Sequence, residues 1–137
     1  LVSQCLGLPA NFLKELSGDR IEPFKILCYP RATSQKEEIG ASEHQDSSCI
    51  TVVGQDESGG YQVLKDGKWV DIKPTKGALV INIGDILQVW SNNRFRSAVH
   101  RVVNSKERRR CSFAYGSIPN PDMIVRPLPQ FTTEVNC

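Results

Sequence analysis

A chain of 137 residues and 15.3 kDa is long enough for one domain and too short for two. Apolar residues make up 39% and charged residues 23%, the balance of an ordinary folded protein, which excludes a disordered chain. A net charge of +2 is too small to make nucleic acid or an anionic membrane the default partner, and no apolar run approaches the length of a membrane span.

The first stretch reads as helical. Val2, Cys5 and Leu6 recur at i, i+3 and i+4, and Phe12, Leu13 and Leu16 repeat the pattern after Pro9. Pro9 suits a first helical turn and Ser17-Gly18 a stop. The chain opens on Leu1 with neither Met nor a secretory leader, so we expect residues upstream of it. From Phe24 onward short strands replace helices, at 24–29, 49–53, 61–64, 68–72, 78–83, 86–91, 97–103 and 110–115. Asp66-Gly67 between two of them is a strong hairpin signal, because both residues tolerate positive φ. Gly59-Gly60, Gly84-Asp85 and Asn92-Asn93 supply further turns. Residues 32–42, polar with Gly40 near the end, make the longest expected loop. Eight short strands with helix only at the start predict a sandwich, jelly roll or barrel.

The five cysteines are Cys5, Cys28, Cys49, Cys111 and Cys137. An odd number with no Cys-x-x-Cys suggests neither a disulfide framework nor a zinc knuckle. Free thiols in a reducing cytoplasm are the expectation. The run 106–110 reads as a solvated turn leading into a strand with Arg110 alone turned inward, not as a nucleic-acid patch. Trp69 and Trp90 are expected in the core, and Asp85 belongs to turn chemistry. The stretch 120–129, rich in proline, reads as an ordered tail wrapping the fold.

Only two histidines are present. One lies in Glu43-His44-Gln45-Asp46, the other in Val99-His100-Arg101. On an extended segment a His-x-Asp puts both side chains on one face. A second histidine brought alongside would complete the two-His, one-carboxylate set of non-haem Fe(II) sites, which leaves coordination positions open. From spacing alone, a surface His44 paired with Asp46 and an unrelated His100 is the simpler reading. Ten residues after His100 comes Arg110-Cys111-Ser112. In a strand, Arg110 and Ser112 share a face, and a guanidinium beside a hydroxyl is a good carboxylate receptor.

The residues from 44 to 127 resemble the oxygenase domain of the plant-type 2-oxoglutarate- and Fe(II)-dependent dioxygenases, the family that includes isopenicillin N synthase. The resemblance rests on His44-x-Asp46, Gln55-Asp56, Gly59-Gly60-Tyr61-Gln62-Val63, Asp66-Gly67-Lys68-Trp69, Val80-Ile81-Asn82-Ile83-Gly84-Asp85, Ser91-Asn92-Asn93-Arg94-Phe95, His100-Arg101-Val102 and Arg110-x-Ser112. These stand in the family's order and spacing. The resemblance implies a mainly β fold, a double-stranded β-helix (jelly roll) with a short N-terminal helical segment. Residues 1–22 would be the end of a larger helical region and 23–137 the oxygenase domain. It implies that His44, Asp46 and His100 bind Fe(II), that Arg110 and Ser112 hold the far carboxylate of the co-substrate 2-oxoglutarate, and that Tyr29 assists. O2 would be the oxidant, with room for ascorbate as a reductant. The expected reaction is oxidation of a C–H bond in a small organic molecule, with release of succinate and CO2, by a cytoplasmic monomer.

Three positions depart from the family pattern. Leu27 stands where the family has Asn, two residues before Tyr29, and Gln45 replaces a small or hydroxyl residue between the metal ligands. Gly116 stands where an aromatic residue usually faces the substrate. That predicts a reshaped pocket, partly filled by Phe113 or Tyr115. Two alternatives remain open at this stage: a family oxidase that does not consume 2-oxoglutarate, and a non-catalytic or truncated barrel that binds metal or carboxylate without turnover.

Overall fold

A computed structural model of the chain describes residues 1–34 and 36–132; Cys137, one of the expected free thiols, lies outside them. Eight strands follow two short helices: α1 (Val2–Cys5), α2 (Phe12–Ser17), β1 (Phe24–Tyr29), β2 (Ile39–His44), β3 (Ile50–Gln55), β4 (Tyr61–Lys65), β5 (Lys68–Asp71), β6 (Val80–Ile83), α3 (Asp85–Trp90), β7 (His100–Val103) and β8 (Arg110–Ser117). They form two four-stranded sheets, ordered β1-β8-β3-β6 and β2-β7-β4-β5, in which every pairing is antiparallel. Residues of both sheets line one internal cavity, the jelly-roll arrangement that the resemblance implies. The Asp66-Gly67 hairpin forms as expected. Both residues take positive φ, 50° and 73°, and Lys65 faces Lys68 across the turn. Among the described residues no helix is long and apolar enough to cross a membrane.

Two elements differ from the sequence reading. Residues 86–91 were expected as a strand, but 85–90 are helical. Leu87 and Trp90, three residues apart, are the pair that is buried, to 1% and 2% exposure, and Asp85 starts the helix where an acid favours the dipole. Alternation would instead have put Trp90 on a face with Ile86 and Gln88. The second difference lies in the expected loop 32–42, whose end is the start of strand β2. Its composition, Ile39-Gly40-Ala41-Ser42-Glu43, has weak strand propensity, and pairing with β7 decides it.

One buried apolar cluster is built mostly from residues outside the strands, with Ile50 and Ile83 packed against it from β3 and β6. Leu6, Cys49, Leu87, Trp90, Leu128 and Phe131 form one buried cluster, with Val2, Phe12, Leu13 and Leu16 packed on it. Residues 1–22 therefore join α3 and the C-terminal tail in a shared core. The tail is tied down by Leu128, whose N–H donates to the Trp90 carbonyl, 3.1 Å. Trp69 differs from Trp90: it is only half-buried and lies under the Arg101 guanidinium, 4.3 Å from the ring centre.

Candidate metal and carboxylate site

Strand register brings the two histidines together. His44 on β2 is the direct partner of His100 on β7, and their rings lie 4.3 Å apart. The β2–β7 register slips between Ile39 and Ala41 and again between Ala41 and His44, irregularities of the kind that re-aim side chains beside sites. Asp46 follows two residues after His44. Its Oδ1 lies 3.8 Å from His44 Nε2 and 3.6 Å from His100 Nε2. One ligand atom from each of the three lies within 4.8 Å of the others.

The surroundings prepare these atoms for a cation. His44 Nδ1 lies 2.7 Å from the Ser42 carbonyl oxygen, and His100 Nδ1 lies 3.0 Å from that of Ala98. A carbonyl only accepts, so each Nδ1 carries a proton, and in the neutral ring it is the Nε2 lone pair that faces Asp46. Three electron-rich atoms converging without a donor between them is an arrangement that a metal ion resolves. Asn82 completes it. Its Nδ2 donates to Asp46 Oδ2 (3.0 Å), leaving Oδ1 for the ion, and its own Oδ1 accepts from the Tyr61 hydroxyl (2.9 Å). Burial pushes the Tyr61 phenol up to about 12, against the lowering effect of the Asn82 bond, so it stays a donor.

The backbone of Asp46 is gripped from the same segment. The Asp85 N–H donates to the Asp46 carbonyl (2.8 Å). Gly84 sits so close that a Cβ there would run into the Ser48 and Asp46 carbonyl oxygens. The stretch Asn82-Ile83-Gly84-Asp85 thus holds the carboxylate ligand by its side chain and its main chain together. Such outer partners usually matter nearly as much as the ligands. The donor set, two imidazoles and one carboxylate with positions left open, fits Fe(II).

Arg110 forms the other end of the cavity. It is 1% exposed and takes part in no ion pair among the described residues. Burial lowers its pKa, while the nearby Tyr29 and Asp56 act to raise it. Its Nε donates to the Gly59 carbonyl (3.0 Å), Nη1 to Ser112 Oγ (2.6 Å) and Nη2 to Gln55 Oε1 (3.1 Å). Three of a guanidinium's five N–H groups are thereby used. The remaining two, one on each terminal nitrogen, suit a bidentate anion. A buried cation without an anionic partner costs several kcal/mol, of the order found for desolvated ions, so a carboxylate ligand is the natural complement. The Tyr29 ring packs 5.4 Å from the guanidinium.

The triad, Arg110, Ser112 and Tyr29 all line one cavity of about 100 Å³. A sequence profile of the 2OG-Fe(II) oxygenase superfamily matches residues 21–118. The chain belongs to this superfamily. Rice (Oryza sativa subsp. indica) gibberellin 20 oxidase 2 is 35% identical over 133 residues, which cover 97% of this chain and 34% of that protein. The Arabidopsis thaliana 1-aminocyclopropane-1-carboxylate oxidase homolog 5 is 41% identical over 141 aligned residues, covering 99% and 35%. The chain therefore spans about a third of the length of the curated relatives it matches. Among solved structures, JOX2 in complex with 2OG, Fe and JA superposes with a TM-score of 0.93 at 30% identity, covering 98% of this chain and 41% of that one.

Other expected site residues lie elsewhere. Phe113 and Tyr115, expected to fill part of the substrate pocket, stand on the opposite face of β8. Phe113 stacks on Phe24, 5.6 Å between ring centres, and Tyr115 meets Glu22. Period-two alternation was the signal: with Arg110 and Ser112 inward, residues 113 and 115 must point out. Gly116 does share the inner face, but Pro23 and Ser48 pack over it, and it lines neither cavity end. Leu27 lines the cavity beside Tyr29. Gln45 turns to the Ser97 carbonyl, 2.9 Å. Sequence reading assigned no site role to Asn82, Tyr61, Gln55 or Gly59; their presence in the matching motifs was the available signal.

Proposed function

We propose that this chain carries the metal and co-substrate centre of an oxygenase that oxidises a C–H bond of a small organic metabolite, with 2-oxoglutarate leaving as succinate and CO2. The observation that carries this reading is a single one: the His44–Asp46–His100 set and the unpaired Arg110–Ser112 receptor open on the same cavity. Residues His44, Asp46 and His100 would hold Fe(II). Arg110 and the Ser112 hydroxyl would take the far carboxylate of 2-oxoglutarate, and Tyr29 packs the guanidinium in place. Bound iron would supply O2 activation coupled to decarboxylation. Asn82 keeps one carboxylate oxygen of Asp46 occupied, so that Asp46 ligates through the other, and the Ser42 and Ala98 carbonyls hold both imidazoles in the ligating tautomer. The relatives point the same way, since gibberellin 20 oxidase 2 and JOX2 bound to JA are named for small organic molecules.

Anaerobic addition of Fe(II) and 2-oxoglutarate should produce a weak visible charge-transfer band that His100→Ala removes. Absence of the band in the parent protein overturns the reading. Succinate formed per O2 consumed then separates the reactions. A ratio near unity supports a 2-oxoglutarate-consuming oxygenase. Oxygen uptake without succinate points to the oxidase branch, and iron binding with neither product points to a binding module.

A further inference from the structure

Strands β1 and β8 place Cys28 directly opposite Cys111, and their sulfur atoms lie 2.8 Å apart. The flanking pairs, Leu27 with Ser112 and Tyr29 with Arg110, face the site cavity, so the two thiols stand together on the outer face. Cys28 is exposed and Cys111 partly so. β1 is the edge of its sheet. Direct antiparallel partners have Cα atoms about 4.5 or 5.5 Å apart, within the roughly 4.4–6.8 Å that disulfides span. Closing to a bond length of about 2.0 Å needs the sulfurs to approach by under about 1 Å. The other described cysteines lack such a neighbour: Cys5 is exposed, and burial pushes the Cys49 thiol up to about 12.

We propose that Cys28 and Cys111 form a hydroperoxide-sensitive dithiol that closes into a disulfide across β1 and β8. Cys28, the more exposed, attacks as its thiolate. Its sulfur bonds one peroxide oxygen, the O–O bond breaks, and the other oxygen leaves as an alcohol or water, giving Cys28 sulfenic acid. The Cys111 sulfur then attacks the Cys28 sulfur, the S–S bond forms, and the sulfenic oxygen leaves as water. Two thiols lose two electrons and two hydrogens, and one hydroperoxide is reduced. The hydrogen bond to Cys28 holds the Cys111 thiol above its ordinary pKa, which fits it as the second, resolving partner. The cross-link would tie β1 to β8 one residue from Tyr29 and Arg110.

The test treats the folded protein with hydrogen peroxide, blocks remaining thiols and maps the peptides. The expected product is a Cys28–Cys111 linked peptide from a monomer lighter by two hydrogens, restored by dithiothreitol. Cys28→Ser and Cys111→Ser should each abolish it, and Cys5→Ser should leave it unchanged. Phenylarsine oxide, which bridges neighbouring thiols, should bind the reduced parent protein at one per chain and fail to bind the peroxide-treated protein; this arm needs no variant to fold. The proposal is overturned if Cys28 over-oxidises while Cys111 remains alkylatable, if Cys28 links instead to Cys5 or to a second chain, or if the same link forms as fast in urea.

Discussion

The two faces of strand β8 carry opposite chemistry. Inward, Arg110 and Ser112 meet a cavity of about 100 Å³ shared with His44, Asp46 and His100. Outward, Phe113 joins Phe24, Ile26 and Leu79 around a groove of about 960 Å³, where Phe24 and Ile26 are 60% and 76% exposed. The larger space holds no convergent ligand set among the described residues, whereas the smaller is lined by the His44, Asp46 and His100 set and by Arg110 and Ser112. Volume is therefore a poor guide here. A buried guanidinium with two unused donors marks the smaller cavity as the better match for an anion, because leaving such a group unmatched is costly.

Breaking the inner face should have the largest effect. Arg110→Met removes both N–H groups offered to a carboxylate, each worth about 1.5–3 kcal/mol, so calorimetry on the metal-loaded protein should show 2-oxoglutarate affinity falling by about 100-fold or more. Phe113→Ala, one strand face away, should leave that affinity unchanged; an equal loss in both variants would dissolve the distinction between the faces. A smaller effect sharpens the inner face itself. Asn82→Ala frees Asp46 Oδ2 and should weaken metal binding by about 10–100-fold, measured by competition with a chromophoric chelator; unchanged affinity would make Asn82 merely a packing residue.

The smallest effect concerns Tyr61. Its folded pKa is raised to about 12 from 10.0, so between those values the folded protein keeps a proton that the unfolded chain has lost. Stability should then fall as pH rises through that window, by up to about 1.4 kcal/mol per pH unit. Denaturant unfolding of Tyr61→Phe should show a shallower decline. An identical slope would mean that the phenol is not held protonated by its burial.

Much of this was legible in residues alone. The hairpin at Asp66-Gly67 follows from two positions that accept positive φ, and seven of the eight expected strands appear within a few residues of their predicted ends. Arg110 and Ser112 share a face because a strand has period two. The same rule places Phe113 and Tyr115 on the face away from Arg110 and Ser112, with Phe113 lining the outer groove. Helix α3 was less legible. A short, mostly apolar segment fits either period, and burial of Leu87 with Trp90 in a core built partly by α1 and α2 decided it.

The opening length argued for one self-contained domain, and composition for a folded protein without a membrane span. The sequence by itself also determined the donor types, two histidines, one aspartate within reach of the first, and an Arg-x-Ser pair, because those are fixed by residue identity and short spacing. Tertiary structure decided their convergence. His44 and His100 are 56 residues apart and become direct partners only through the β2–β7 register, which no local pattern specifies because β2 itself exists through pairing. The same holds for Asn82 reaching Asp46 and for Cys28 meeting Cys111. Each contact joins residues far apart in sequence: strand pairing brings Cys28 to Cys111, and the packing of one sheet on the other brings Asn82 to Asp46.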